Sequence, residues 1–301
     1  MIVRVLGSAA GGGVPQWNCA CTNCTAAREG RQPHRTQSSL AVSADGGRWL
    51  LLNCSPDVAE QVEAFPPLHP ARPRGTPIAG VLVTDANVDH LGGLAVLRQH
   101  GDRGFVVRSS GIVRAIAARQ PAFAAFMRPP HRWVEAPFGA ECGADREDDV
   151  VGNRLRVRAL CVPGTTPGYD GRRNLNGAVV AYEIADRGSN ETLLFAPVFA
   201  DIDGALASAI ASASVAFLDG SFYSDDELIA QGLAQKRARS LGHLPVGSAG
   251  GSLELLRGTR ARVLFTHLNN SNPMLDPDSP AATLVRELGA EIAHDGMELT
   301  L

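Results

Sequence analysis

No apolar run in the chain approaches the ~20 residues a bilayer-spanning helix needs, so no membrane partner is expected. The opening stretch MIVRVLGSAAGGG lacks the charged leader and long apolar core of a signal peptide. It reads instead as the first strand of the fold, and the expected compartment is the cytoplasm. No basic block flanks an aromatic platform, the arginines are scattered, and the formal net charge is −3. Nucleic acid is therefore not an expected partner. Low-complexity segments and breaks in composition are missing too, so residues 1–301 read as a single domain. What is present is ample core material, 45% hydrophobic, with an ordinary 20% charge.

Short apolar stretches punctuated by Gly and Pro dominate the pattern. Strands are expected at 2–8, 39–44, 48–54, 80–85, 105–110, 155–162, 178–184, 192–198, 215–221, 262–268 and 290–299. Helices are expected at 55–65, 90–100, 111–120, 201–213, 250–258 and 279–289, the first with Ser55 as cap and Pro56 in its first turn. Strand groups followed by helices, twice over, suit an α/β chain in which two sheets are sandwiched between outer helices.

The six cysteines are not spaced as a disulfide framework: Cys19, Cys21 and Cys24 fall within one short stretch, WNCACTNC. Three thiolates so close match a zinc loop that takes a fourth ligand from elsewhere, closed and structural rather than catalytic. Asn270, His34 and Cys54 are the candidates for the fourth position. Three packed cysteines or a redox pair are the alternative.

A second cluster lies in VLVTDANVDHLGGL, where an apolar strand runs into Asp85, Asn87, Asp89 and His90. TDANVDHLGGL resembles the metallo-β-lactamase superfamily motif His-x-His-x-Asp-His, whose fold is the αββα sandwich with two mixed β-sheets flanked by helices. On that resemblance Asp85 and Asn87 stand where the two leading histidines belong. Thr165, in VPGTTPGY, replaces the third histidine of the first metal site, and Pro197 stands where the metal-bridging Asp would follow its strand. The second site keeps Asp89 and His90, and VLFTHLNNSNP supplies His267. Two histidines and one carboxylate are the ligand set of mononuclear non-haem Fe(II) oxygenases. Hydrolysis by a two-metal clamp would need the missing ligands.

LGSAAGGGVPQWNCACTNC, TDANVDHLGGL, SLGHLPVGSAGGSLELL and THLNNSNPML together resemble the pyrroloquinoline quinone (PQQ) biosynthesis B family along essentially the whole chain. The resemblance implies a cytoplasmic enzyme of cofactor biosynthesis that uses Fe(II) and O₂ to hydroxylate the tyrosine ring of a cross-linked Glu–Tyr unit excised from a precursor peptide. A homo-oligomer and contacts with other PQQ biosynthesis proteins are compatible with it. A carrier of PQQ or its precursor and a single-metal zinc hydrolase are the alternative readings.

Further candidates surround this set. Asp85 and Asn87 either contact the substrate or stabilise their loop. His243, in LGHLPVG, reads as a general base, an auxiliary ligand or a surface histidine. Asp219, in LDGSF at a strand end, is placed to orient His243 or His267. GTTPGYDGRRNLNG offers Tyr169, Arg172, Arg173 and Asn174 for an amino-acid-like substrate, since Arg recognises carboxylates bidentately. Cys54 reads as packed rather than reactive. His34, His69, His100, His131 and His294 receive no role of their own, and FPPLHPARPRG and RPPHRW read as surface loops.

Overall fold

The computed structural model describes residues 1–99, 104, 106–142, 154–172 and 175–301. The strands in chain order are β1 (Ile2–Gly7), β2 (Ser39–Ser43), β3 (Trp49–Leu52), β4 (Ile78–Leu82), β5 (Val106–Ser109), β6 (Arg132–Glu135) and β7 (Glu141–Cys142). They continue as β8 (Leu155–Cys161), β9 (Val180–Asp186), β10 (Thr192–Ala196), β11 (Val215–Asp219), β12 (Arg262–Thr266), β13 (Glu291–Ile292) and β14 (Glu298–Thr300). One seven-stranded sheet has the order β14-β1-β2-β3-β4-β5-β6 and the other β13-β12-β11-β10-β9-β8-β7. Both are mixed. β3 to β6 run parallel beside antiparallel β1 and β2, and β10 to β13 run parallel beside antiparallel β8 and β9.

The two-residue period of the strands sorts their side chains into layers. Along β11, Val215 and Phe217 join a buried cluster with Val3, Leu40 and Leu52 of the facing sheet, while Ala216 and Leu218 turn outward. β10 does the same with Leu193 and Phe195 inward, Leu194 and Ala196 outward. Both faces are apolar because both are covered, as expected of parallel strands. Outside the second sheet, helix Gly204–Ser212 contributes Leu206, Ala209 and Ile210, and helix Pro280–Glu287 contributes Ala281 and Val285. Outside the first sheet, helix Gly111–Ala118 brings Val113, Ile116 and Ala117 against Trp49, Leu51 and Val81. The result is the αββα sandwich.

Several elements differ from the expectation. The stretch 290–299 is two strands in different sheets, not one: Glu291–Ile292 pairs with β12, Glu298–Thr300 with β1, and a turn at Gly296 (φ +90°) separates them. RPPHRW is not a surface loop. Its second half opens β6, and His131 is buried against Phe126 with ring centroids 4.5 Å apart. The first expected helix begins later, at Val58 with Asp57 in the cap position, and Ser55 accepts from the Asp57 amide instead. In place of the helix expected at 90–100, the described residues form two short turns, Val88–Leu91 and Leu94–Leu97, with Gly92 and Gly93 between them.

Candidate metal centre

Parallel strands deliver the polar residues to one edge of the sandwich. β4 ends at Leu82, the chain runs through Thr84 and Asp85, and the turn Val88–Leu91 presents Asp89 and His90. β11 ends on Asp219, and β12 hands directly to His267. This is the carboxyl edge of the strands, where open α/β sheets collect ligands. His267 has φ +59°, a left-handed conformation uncommon outside glycine and held here by its neighbours.

Asp89, His90 and His267 offer one ligand atom each, all within 4.8 Å of one another. Asp89 Oδ2 lies 3.2 Å from His267 Nε2 and 3.6 Å from His90 Nε2. His90 Nδ1 lies 2.5 Å from Asp85 Oδ2, so that nitrogen keeps its proton, and Nε2, which faces Asp89, is the atom a metal would take in place of a proton. His90 Nε2 is buried and has no hydrogen-bond partner. His267 follows the same logic through a hydroxyl. Its Nδ1 is 2.7 Å from Ser221 Oγ, which donates to Asp219 Oδ1 at 2.6 Å and can therefore only accept from the ring. Two imidazole nitrogens thus converge on a carboxylate, within reach of a single divalent cation. The donor set fits a divalent metal of borderline hardness.

Charge balance reflects this packing. Burial would lower His90, but the carboxylates of Asp85 and Asp89 outweigh it and hold the ring up at about 9. Burial would raise Asp89, yet His90 and His267 keep it far below the usual carboxylate range. Burial dominates at His267 and lowers it.

Asp219 is fully buried. Oδ2 accepts from His243 Nδ1 at 2.7 Å and from the Phe199 amide at 3.2 Å, and Oδ1 from the Ser221 amide at 2.9 Å. Asp219 therefore orients His243 directly and His267 through Ser221. His243 stacks on His267 at 5.6 Å, with its bonded nitrogen turned away toward Asp219. Asp85 is saturated as well. Besides His90, Oδ2 accepts from Thr84 Oγ1 at 2.9 Å, and Oδ1 accepts from the Asn87 amide at 2.9 Å and its Nδ2 at 2.7 Å. Of the two readings of Asp85 and Asn87, the geometry gives the loop-stabilising one, with Asp85 also fixing a ligand ring. Thr165 donates to the Leu241 carbonyl at 3.4 Å. Among the described residues, Asp219, His243 and His267 form a further group of metal-type donors within 4.8 Å of one another, and Asp85 belongs to none of the groups.

The cysteine cluster forms a separate group. Cys21 caps helix Thr22–Arg28, which sequence reading did not anticipate, and Cys24 lies inside its first turn. The Asn270 amide sits 3.1 Å from Cys19 Sγ and 3.4 Å from those of Cys21 and Cys24. A zinc tetrahedron with bonds of about 2.3 Å to sulfur and about 2.0 Å to oxygen has sulfur–oxygen edges of about 3.5 Å. The amide nitrogen thus stands at about the distance that a fourth ligand would keep from the three sulfurs, and a flip would put Oδ1 there. Burial pushes the Cys24 thiol up to about 11, and a cation at the centre would displace that proton to solvent. His34 instead bonds the Ala27 carbonyl at 3.2 Å, and Cys54 is buried in the apolar layer behind the first sheet.

Tyr169 stands at the rim, its ring 45% exposed and its hydroxyl donating to the Ala86 carbonyl. Arg172 differs from expectation: its guanidinium already forks onto Asp170, with bonds of 2.6 and 2.9 Å. Arg173 and Asn174 lie outside the described residues, as does His100. Sequence reading missed Ser221, whose only signal was its place two residues after Asp219, and Thr84 beside Asp85.

Two facing mixed sheets, outer helices and metal-type donors at the strand ends define the metallo-β-lactamase class of fold, and a family model described as the beta-lactamase superfamily domain matches residues 48–268. Within that class, the chain belongs to the coenzyme PQQ synthesis protein B family. It is 37% identical over 316 residues to coenzyme PQQ synthesis protein B of Azoarcus sp. (strain BH72), with 100% of each chain covered. It is 37% identical over 314 residues to that of Methylococcus capsulatus, again with 100% of each covered. The crystal structure of Zn(2+)-bound PqqB from Methylobacterium extorquens superposes with a TM-score of 0.92 at 34% identity, over 100% of both chains. A diphosphatase of the PhnP family shares the fold at 17% identity, covering 99% of this chain and 96% of its own, with a TM-score of 0.66. No described helix is long and apolar enough to cross a membrane.

Proposed function

We propose that this chain serves PQQ biosynthesis as an Fe(II)- and O₂-dependent hydroxylase of the tyrosine ring in a Glu–Tyr-derived precursor, with Asp89, His90 and His267 holding the iron. The observation that carries the reading is the pair of histidine nitrogens, one of them buried without a hydrogen-bond partner, aimed at a single carboxylate. Iron(II), when bound there, supplies the one-electron chemistry with O₂ that a redox-inert zinc ion does not. Zinc belongs at Cys19, Cys21 and Cys24 with Asn270 as fourth ligand, a set of soft thiolates suited to a closed structural site. That the Methylobacterium extorquens relative is a zinc-bound protein supports zinc for this chain as well.

The side chains divide the remaining work. Asp85 and the Asp219–Ser221 pair hold the two rings by Nδ1, so that Nε2 of each is the nitrogen a metal would take in place of a proton. His243, with Nδ1 held on Asp219, keeps its other nitrogen for the phenolic proton of the substrate, the role of a general base. Tyr169 offers an exposed aromatic face at the mouth for the substrate ring. With Arg172 committed to Asp170, recognition of the substrate carboxylates is assigned to Arg173 with Asn174 alongside.

The test is oxygen uptake by protein reconstituted anaerobically with Fe(II), given a tyrosine-derived substrate with the Glu–Tyr linkage. Uptake tied to a hydroxylated product, and lost in His267→Ala, is the expected result. Product formed equally without O₂ would favour a hydrolase. Tight binding without turnover, unchanged by His90→Ala, would favour a carrier.

A further inference from the structure

The histidine face and the cysteine cluster share one segment of chain. His267 ends β12, and Asn270, whose amide meets all three sulfurs, follows with only Leu268 and Asn269 between them. The left-handed backbone of His267 has to be imposed by what holds the segment on either side. Upstream, the Thr266 carbonyl accepts from the Gly220 amide at 2.8 Å. Downstream, Leu268 exchanges backbone bonds with Ser8 and Ala10, and the Asn269 amide donates to the Ser221 carbonyl at 3.0 Å.

Past that point the segment is bolted to the cysteine helix. Asn23, buried between Cys21 and Cys24 in the chain, donates through Nδ2 to the carbonyls of Asn270 and Asn272, at 2.9 Å each. Neither bond touches a sulfur or the histidine. A cation drawn to the three sulfurs would pull in the Asn270 amide and fix the far end of the segment that starts with His267. Without it the three sulfurs share only a neutral amide, and the helix is tied to these two carbonyls by Asn23 and by the longer contact of Cys21 Sγ with the Asn270 carbonyl at 3.4 Å.

We propose that Asn23 and Asn270 make the cysteine cluster a positioning device for His267, so that a metal held by the cysteines tightens the hold of Asp89, His90 and His267 on theirs. This rests on the two-site reading given under Proposed function. Asn23 acts as a positioning residue and touches neither metal. By linkage the coupling runs both ways with the same factor.

Manganese(II) is the probe, because it prefers nitrogen and oxygen donors and leaves thiolate-bound zinc in place. Free Mn(II) is counted by electron paramagnetic resonance during titration of zinc-loaded protein. Asn23→Ala and Asn270→Ala are expected to weaken Mn(II) binding by about 10–100-fold, the usual cost of losing an outer-shell support. Asn270→Asp, which keeps an oxygen at the fourth vertex, is expected to return the affinity to within a few-fold of wild type. Zinc-stripped wild type, with its fold checked by circular dichroism, gives the same comparison without a substitution and is expected to bind Mn(II) as weakly as Asn270→Ala. Equal affinity in the Asn23 variant, the zinc-stripped protein and the zinc-loaded protein would overturn the coupling while leaving two sites in place. Wild type that binds no Mn(II), or binds it equally well as His267→Ala, would overturn the coupling and the two-site reading together.

Discussion

Asp85 Oδ2 lies 2.5 Å from His90 Nδ1, and both side chains are cut off from solvent. The carboxylate standing where the superfamily resemblance would put a metal ligand instead holds the His90 ring. Every other contact of Asp85 also comes from a donor: Thr84 Oγ1, the Asn87 amide and Asn87 Nδ2.

Asp85→Asn should therefore weaken metal binding at the histidine face by about 10–100-fold. Whichever way the new amide turns, its NH₂ end meets donors. Metal titration of the variant checks this, and an unchanged affinity would show that Asp85 does not orient His90.

Ser221→Ala removes the hydroxyl between Asp219 and His267. The His267 Nδ1–H then loses its acceptor in a buried position, at a cost of about 1–3 kcal/mol. Denaturant unfolding should report that loss, and metal affinity should drop by roughly tenfold. Wild-type values in both measurements would contradict the relay.

Glu227 carries the clearest pH dependence. Burial pushes its carboxyl up to about 7 against the opposing bonds from Ser271 and the Tyr223 amide. In the unfolded chain it titrates near ~4.3. The folded state thus holds the extra proton between those values, so this contribution to stability is complete below the lower one and lost as pH rises through about 7. Glu227→Gln should abolish the decline and be the more stable protein above it. Urea unfolding of zinc-loaded wild type and variant across this range decides the matter, and parallel stability curves would contradict it.

Glycine is required at Gly93 by contact. An added Cβ would stand 2.1 Å from the Ser55 carbonyl oxygen and 2.8 Å from Cys54 Sγ. Gly93→Ala should destabilise the fold by at least about 1–3 kcal/mol. Gly204, opening its helix with nothing within 4 Å of that position, should accept Ala and gain about 0.4–1 kcal/mol. Thermal unfolding of both variants tests the contrast.

How much of this was legible in the sequence varied with the range of the interaction. The apolar strands of the core were readable because both faces of β10 to β12 are buried, leaving continuous apolar runs. Asp89, His90 and His267 were singled out by resemblance to the superfamily motif, and the fold brings them together from the ends of β4 and β12. The division of 290–299 between two sheets was not, since apolar residues on both sides of Asp295 and Gly296 resemble one strand until the pairing partners are known. Ser221 and Thr84 were silent for a related reason: a hydroxyl gains its role from a partner distant in sequence, as Ser221 does from His267. Asp85 and Asn87 were visible as polar residues, but only the hydrogen bonds between them decide that they serve the loop and the ligand. The cysteine spacing pointed to a metal, whereas only the fold shows that Asn270, and not His34 or Cys54, lies against the three sulfurs.

The account stands most directly on whether the two clusters hold two different metals. Metal analysis of protein loaded with zinc and Fe(II) without oxygen, set beside His267→Ala and Cys24→Ser, answers this. The predicted result is about one equivalent of each metal in wild type, iron alone lost in His267→Ala, and zinc lost in Cys24→Ser with iron weakened. Zinc filling both positions in preference to iron, or iron retained in full by His267→Ala, would contradict it.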